Sequence, residues 1–523
     1  MPSGVPTLLS EIARGAGEHD SVRVVFSSAD RPVTTTVGGL VADAERVAGA
    51  LQGLGVAAGD VVAVQLPNWY EGAVAQAAVA LCGAVLLPIV QIYGPRELGF
   101  ILRQSGASVL VVPRTWQGRD FAAMAGAIED VPALRTVVVV DERAPAGTVP
   151  FAELLGGSAD RYARPDVEVT DRALLVYTSG TTADPKGVQH SHASLLAEVH
   201  SPVGRRERPE PARHLALFPS GHVAGLLGLL RILIHGHETV VLDRWKSARA
   251  AELVDEYGLT SGVGAPVHLA GLLDQRDSGA ATLSTLREFT VGAAGVPPAL
   301  IDRAERAGIA AYRSYGSSEH PTISSGEPGD PLVKRATTDG RVIDGSEIRL
   351  VDDDGVDVPA GAEGEIVSRG GELFLGYTDP ALDAEAFLPG RWYRTGDIGR
   401  LDTDGFLTIT DRKKDIIVRG GENISSKEVE DVLATHPAVA EAAAIGMPDE
   451  RYGERVCAVV VLREDGGSLD LDEVGRHFAE AGVARQKTPE RVVVVGELPR
   501  TAAGKLQKYR LRELVRDGIP STR

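Results

Sequence analysis

Short apolar runs alternating with alanine-rich, helix-patterned stretches constrain this chain more than any other feature. VVAVQL at 61–66, AVLLPIV at 84–90, SVLVVP at 108–113 and TVVVVD at 136–141 are four such runs. Helix-like segments at 71–82 and 95–104 separate the first three. Strands that are apolar at every position are buried on both faces, so strand, helix, strand in series implies parallel sheets covered by helices. A second series, with HLALFP from 214, TVVLD from 239 and LREFTVGAAG from 286, predicts another layered α/β unit. From about residue 340 the texture changes: SEIRLVDDDG, GEIVSRG and GFLTITDR alternate and are separated by Asp/Gly turns. That pattern predicts a small antiparallel, β-barrel-like subdomain. After Arg412, VEDVLATHPAVAEAAAIG, RVCAVVVLRE and RVVVVGELPR predict a compact α+β domain able to fold alone.

A length of 523 residues exceeds what one core accommodates, since single cores stop growing near ~250 to 300 residues. The net charge, 54 − 72 = −18, would repel polyanions and argues against a nucleic-acid partner. With 43% apolar and 24% charged residues, the composition is that of an ordinary globular protein. Cys82 and Cys457 are far apart and show no metal-ligand spacing, which fits a reducing cytoplasm. The N-terminus lacks a basic start followed by an apolar core, so no secretory signal is expected. The stretch 73–90 is apolar enough to raise a membrane question, but Gln76, Gly83 and Pro88 interrupt it. It is shorter than the ~20 strongly apolar residues of a spanning helix, and predicts a buried helix leading into a buried strand rather than integral membrane association.

LVYTSGTTADPKGVQHSH, at 175–192, runs from a strand-like segment into a loop rich in Gly, Ser and Thr. Small residues let backbone N–H groups approach a ligand, and Lys186 supplies a mobile positive charge, so the loop suits phosphate. It is not the nucleoside-triphosphatase pattern, because Lys186 is followed by Gly187 and Val188. Read alone, it remains open to being an ordinary polar surface loop. His190 and His192 flank a helix start and lack the third ligand a metal site needs.

TSGTTADPKG resembles the phosphate-loop signature of the acyl-adenylate-forming superfamily, and six further stretches match in order. SYGSSE at 314–319 resembles its Y-G-x-T-E element, and RWYRTGD at 391–397 its W-x-x-T-G-D element. ITDRKKDIIVRGGENISSKEVE from 409 resembles the hinge and thiol-tunnel region, and PRTAAGKLQKYRLR the segment with the C-terminal lysine, here Lys505. FPSGHVAG around His222 and VGAAGVP around Gly292 correspond to the acyl-pocket and adenine-side segments. The matches span about residues 170–510; before that the likeness is mainly of texture.

The resemblance implies an AMP-forming acyl-CoA synthetase, using ATP, Mg²⁺ and CoA. It implies an adenylation core over 1–411, a hinge at 412–414 pivoting on Lys414, and a mobile lid over 415–523. Thr178, Ser179, Gly180, Thr181, Thr182 and Lys186 would cradle the β- and γ-phosphates, and Glu319 would hold Mg²⁺. Lys505 would bridge the acid and the α-phosphate, with Ser318, where the family usually has threonine, offering that phosphate a hydroxyl. Tyr315, Gly316, Gly292, Ala293 and Ala294 would flank adenine, while Asp397 and Arg412 would contact the ribose. Gly420, Gly421 and Glu422 would line the CoA channel. His222 would form one wall of the acyl pocket, or equally be a packed histidine, and Ala293, Ala294 and Gly295 would leave room for a ring or chain. No acid lies between Phe218 and Gly225, so a proteinogenic α-amino acid, whose buried ammonium needs a partner, is not expected. A medium-chain, alicyclic or aromatic carboxylic acid is; transfer to a carrier protein's phosphopantetheine, or to an amine, is the alternative.

Overall fold

The computed structural model describes residues 5–141, 144–178, 185–201, 212–419, 422–449, 452–463, 467–481, 485–500 and 506–516, without the side chains of 414, 422, 423 and 453. The chain forms two compact units: Met1–Glu347 with Ser368–Tyr393, and Ile348–Val367 with Arg394–Arg523.

Two sheets build the first unit. One has eight strands and a parallel centre formed by Arg172–Thr178, Val85–Pro88, Val61–Val64, Val109–Pro113 and Thr136–Val140, adjacent in that order. The four apolar runs are therefore strands of one sheet, as their patterning predicts. The stretch that raised the membrane question is the helix Tyr70–Leu81 followed by the strand Val85–Pro88, both buried. A helix buried on all sides needs no polar face, which explains its alanine-rich composition. Among the described residues no helix is long and apolar enough to cross a membrane.

The other sheet has nine strands. Ala310–Tyr315, Glu288–Val291, Ser261–Gly264, Arg213–Ala216 and Glu238–Leu242 are parallel neighbours in that order. The next parallel neighbour is Arg23–Ser27, with Val24 opposite Thr239. The second series thus recruits a strand from the start of the chain, which its local pattern did not disclose.

In the second unit, Trp392–Leu401 pairs antiparallel with Leu407–Arg412. Asp402 shapes the turn between them, its Oδ1 accepting the amides of Asp404 and Phe406, each at 2.9 Å. Further on, Ile417–Arg419, Gly453–Leu462, Val439–Asp449 and Arg491–Val494 belong to one sheet. Val429, Leu433, Val474 and Phe478, from two helices, pack with apolar residues of these strands in one cluster. Leu511 and Val515 of the helix Lys508–Arg516 pack in another with Ala443, Ile445, Cys457 and Val459.

Both cysteines are free and buried, and burial pushes each thiol up to about 12. Un-ionised, solvent-shielded thiols do not attack disulfide reagents. Ellman's reagent should accordingly titrate no thiol in the native protein and both cysteines after denaturation; rapid native reaction of either would contradict the packing.

Candidate active site at the strand ends of the first unit

Phe218–Gly221, Gly292–Gly295 and Gly316–Glu319 all follow the carboxyl ends of parallel strands of the nine-stranded sheet. That edge is where ligands bind in open α/β sheets, because loops there converge.

Gly316 and the residues after it make a tight turn. A Cβ on Gly316 would lie 1.9 Å from the Pro321 carbonyl oxygen, so a side chain is sterically forbidden. Ser317 Oγ accepts the amides of Glu319 and His320, at 3.2 and 3.3 Å, and fixes the turn locally. Tyr315, which precedes it, is buried at the end of its strand.

Glu319 is buried, not the exposed loop acid that an isolated glutamate suggests. The Tyr377 hydroxyl donates to its Oε1 at 2.8 Å, and the Phe374 amide to its backbone carbonyl at 2.8 Å. Tyr393 packs edge-on against Phe374, with ring centres 5.2 Å apart. Burial, then the Glu319 charge, raises the pKa of both phenols far above the usual value, so they stay neutral and can donate. His190 Nε2 lies 2.7 Å from the Ser318 carbonyl. Burial lowers the His190 pKa, leaving a neutral ring that donates through Nε2 and accepts from Ser194 Oγ through Nδ1 at 3.1 Å. His190 thus serves structure, as its position beside a helix start predicts.

The strands on either side of the phosphate loop, Arg172–Thr178 and Lys186–Ser191, pair antiparallel, and Thr178 faces Lys186. Lys186 opens the return strand, so its backbone is fixed opposite Thr178. Its Nζ is 5.3 Å from the centre of the Tyr377 ring, whose hydroxyl binds Glu319. The ring places a cation and a carboxylate at one locus. Ser179, Gly180, Thr181 and Thr182 lie outside the described residues, as do Lys505, Gly420 and Gly421. Glu422 begins the strand Glu422–Ile424.

Ala293 takes φ of 67°, a left-handed conformation that is uncommon for a residue with a Cβ and recurs at functional sites. Gly292, Ala294 and Gly295 flank it, and a Cβ on Gly295 would meet nothing within 4 Å. His222 is the N-cap of the helix Val223–His235. Its Nε2 is shielded from solvent and has no partner among the described residues, and burial lowers its pKa to about 4. The FPSGH loop is held from the other sheet: Asn68 Nδ2 donates to the Phe218 carbonyl at 3.0 Å, and its Oδ1 accepts the Ser220 amide at 2.7 Å.

In the second unit, Asp397 and Arg412 stand opposite one another in the strand pair, with Arg412 Nε 3.1 Å from Asp397 Oδ1. Gly396, with φ of 71°, supplies a conformation that residues with a Cβ avoid, immediately before the buried Asp397. Lys414 is the middle residue of the short turn Lys413–Asp415. Tyr377 and Tyr393 are site features that motif reading did not assign; Tyr393 stood inside the quoted RWYRTGD, and only the fold reveals its contact.

Glycine-shaped loops at sheet ends, a lysine and a buried glutamate that both meet Tyr377, and a second compact unit outline a two-part α/β enzyme. Residues 12–378 match the AMP-binding enzyme family and residues 428–505 the AMP-binding enzyme C-terminal domain. The chain belongs to the AMP-binding enzyme family, and its chemistry is that of an AMP-forming acid–thiol ligase. It is 36% identical over 463 residues to the medium-chain fatty-acid–CoA ligase of Escherichia coli strain K12, covering 88% of this chain and 82% of that one. It is 36% identical over 475 residues to the indoleacetate–CoA ligase of Aromatoleum aromaticum, covering 90% and 91%. The crystal structure of the anthranilate CoA ligase AuaEII with anthranoyl-AMP superposes with a TM-score of 0.85 at 27% identity, over 97% of each chain.

Proposed function

We propose that this enzyme activates a medium-chain, alicyclic or aromatic carboxylic acid with ATP and passes the acyl group to the thiol of CoA. The observation that carries the acid class is the acyl-pocket segment: His222 is neutral, and no carboxylate lies between Phe218 and Gly225. An ammonium there would be buried without a partner. Open space beside Gly295 favours a ring or chain, and two relatives of equal identity, named for a medium-chain fatty acid and for indoleacetate, support an apolar acid.

A carboxylate is a poor electrophile, so it must first exchange an oxygen for a better leaving group. Its oxygen attacks the α-phosphate in line and pyrophosphate departs, which makes charge neutralisation the main task. Lys186, Thr178 and residues 179–182 would hold the β- and γ-phosphates, the Ser318 hydroxyl the α-phosphate, and Lys505 the acid and α-phosphate together. Tyr315, Gly316, Gly292, Ala293 and Ala294 would receive adenine, and the Asp397–Arg412 pair the ribose. Among the described residues no three-ligand metal cluster occurs, and Glu319 offers one buried carboxylate. A single carboxylate fits Mg²⁺ delivered with a nucleotide, since that ion takes one or two carboxylates and completes its shell with phosphate and water oxygens. Bound there, Mg²⁺ would offset phosphate charge. For the second step, 412–414 would act as a hinge between a core of 1–411 and a lid of 415–523, and Gly420, Gly421 and Glu422 would line the path of the CoA thiol.

The test is acid-dependent pyrophosphate release over aliphatic, alicyclic, aromatic and α-amino acids, with and without CoA, followed by mass analysis. Medium-chain or ring acids should give pyrophosphate and a CoA thioester, and α-amino acids neither. Pyrophosphate without a CoA thioester would redirect the reading to a carrier protein or amine acceptor. Preference for α-amino acids would overturn the acid class.

A further inference from the structure

Beneath the turn that carries Glu319 lies a buried polar cluster that no step above uses. Glu198 comes from the helix His192–Val199, Arg231 from the helix Val223–His235, Thr322 from the end of the turn, and Glu372 from the loop after the strand Gly364–Gly370. Glu198 and Glu372 are 1% and 3% exposed, too little for either charge to be met by water. Arg231 Nη2 donates to Glu198 Oε1, and so does the Thr322 hydroxyl, at 3.1 Å. The Thr322 amide donates to Glu372 Oε2 at 3.2 Å.

One Arg cannot neutralise two buried carboxylates. Glu198 Oε2 has no N–H or O–H partner among the described residues, and Thr322 links the two carboxyl groups, its hydroxyl on Glu198 and its amide on Glu372. A proton on Glu372 would resolve both difficulties, because it removes one charge and supplies a donor to the neighbouring carboxylate, whose Oε2 lacks one. Burial first, then the hydrogen bond and charge of Glu198, push the Glu372 carboxyl up to about 11. Burial works against the Glu198 charge, but the Glu372 hydrogen bond and Arg231 outweigh it and hold its pKa low.

The cluster lies next to the catalytic turn along the chain. Residues 372–377 touch that turn at three points: Glu372 at Thr322, the Phe374 amide at the Glu319 carbonyl, and the Tyr377 hydroxyl at the Glu319 carboxylate. We infer that Glu198 and Glu372 share one proton, and that this carboxyl pair, through Thr322, sets the position of Glu319 for the adenylation step. Glu198, Glu372 and Thr322 are positioning residues. The inference rests on the role proposed for Glu319, and it predicts a defect confined to the ATP-dependent half-reaction.

The experiment measures acid-dependent pyrophosphate release, thioester formation from supplied acyl-adenylate, and the thermal midpoint. The full-length variants are Glu372→Leu, Glu372→Gln and Thr322→Val. Glu372→Leu leaves Glu198 Oε2 without a donor, and Thr322→Val removes the hydroxyl; each should lower pyrophosphate release about tenfold and leave thioester formation within about twofold. Glu372→Gln keeps a neutral donor and an acceptor of the same shape, and should restore pyrophosphate release to within about threefold of the parent enzyme. In the infrared, the parent enzyme should show the carbonyl stretch of a protonated carboxylic acid still present at about pH 9, and Glu372→Gln should lack it. If both half-reactions fall together with the midpoint, if glutamine fails to rescue, or if the acid band is missing, the inference is wrong. Should Glu372→Leu not fold, Thr322→Val and the infrared band still decide. Glu319→Gln run alongside separates the two readings: if it spares pyrophosphate release, the role of Glu319 fails; if it abolishes release while Thr322→Val spares it, only the positioning pair fails.

Discussion

Glu319→Gln should lower acid-dependent pyrophosphate release by about 100-fold, while thioester formation from supplied acyl-adenylate stays within about threefold of the parent enzyme. The substitution is nearly isosteric, and the amide oxygen can still accept from the Tyr377 hydroxyl, which donates to Glu319 Oε1 at 2.8 Å. The Phe374 amide contacts a backbone carbonyl and is untouched. What disappears is one negative charge in a buried position, where water cannot substitute for it. A 100-fold loss corresponds to about 2.7 kcal/mol of transition-state stabilisation, within the range of one charged contact to a reacting group. Raising Mg²⁺ should recover part of the rate, because the lost ligand weakens cation binding. Tyr377→Phe keeps the charge and removes one donor, so it should cost about tenfold or less. Equal loss in both half-reactions would mean that Glu319 supports the fold and not the chemistry.

The sequence made the strands of the parallel sheets legible because burial on both faces leaves an unmistakable apolar run, as in Val109–Pro113 and Thr136–Val140, and no long-range information is needed to see one. Partner choice is another matter. Nothing local to the strand Arg23–Ser27 names its partner, and it pairs with residues about 215 positions away. Lys186 escaped assignment to a strand because Pro185 and Gly187 flank it, and both are weak strand formers. The candidate site divides in the same way. Glu319, Asp397 and Tyr315 stand in dense motifs and can be found by spelling. Tyr377 and Glu372 stand in GGELFLGYTD, an unremarkable stretch whose meaning is entirely tertiary: one residue meets Glu319, the other Thr322.

Lys414→Pro should slow thioester formation by about 10- to 100-fold while acid-dependent pyrophosphate release stays within about fivefold of the parent enzyme. The physical ground is a change of partners across this residue. Before it, Arg412 pairs with Asp397 at 3.1 Å, and Lys413 with Asp353 and Glu365 at 2.7 and 3.3 Å. After it, Asp415 pairs with Arg512 of the C-terminal helix at 3.1 Å. One hydrogen bond, from the Ile416 amide to the Arg412 carbonyl at 3.1 Å, closes the turn between them. Side chains before and after 414 are anchored to different partners, which is the ground for proposing the backbone torsions at 414 as the pivot of a rotation. Proline fixes φ near −65° and disfavours a helical conformation at Lys413, so it restricts that rotation from both sides. Lys414→Ala removes the charge but keeps torsional freedom, and should lose less than about threefold in either half-reaction. If alanine is as damaging as proline, the ammonium group matters and the torsion does not. If proline slows both half-reactions alike, residue 414 is no pivot, and the thiol reaches the adenylate by another route.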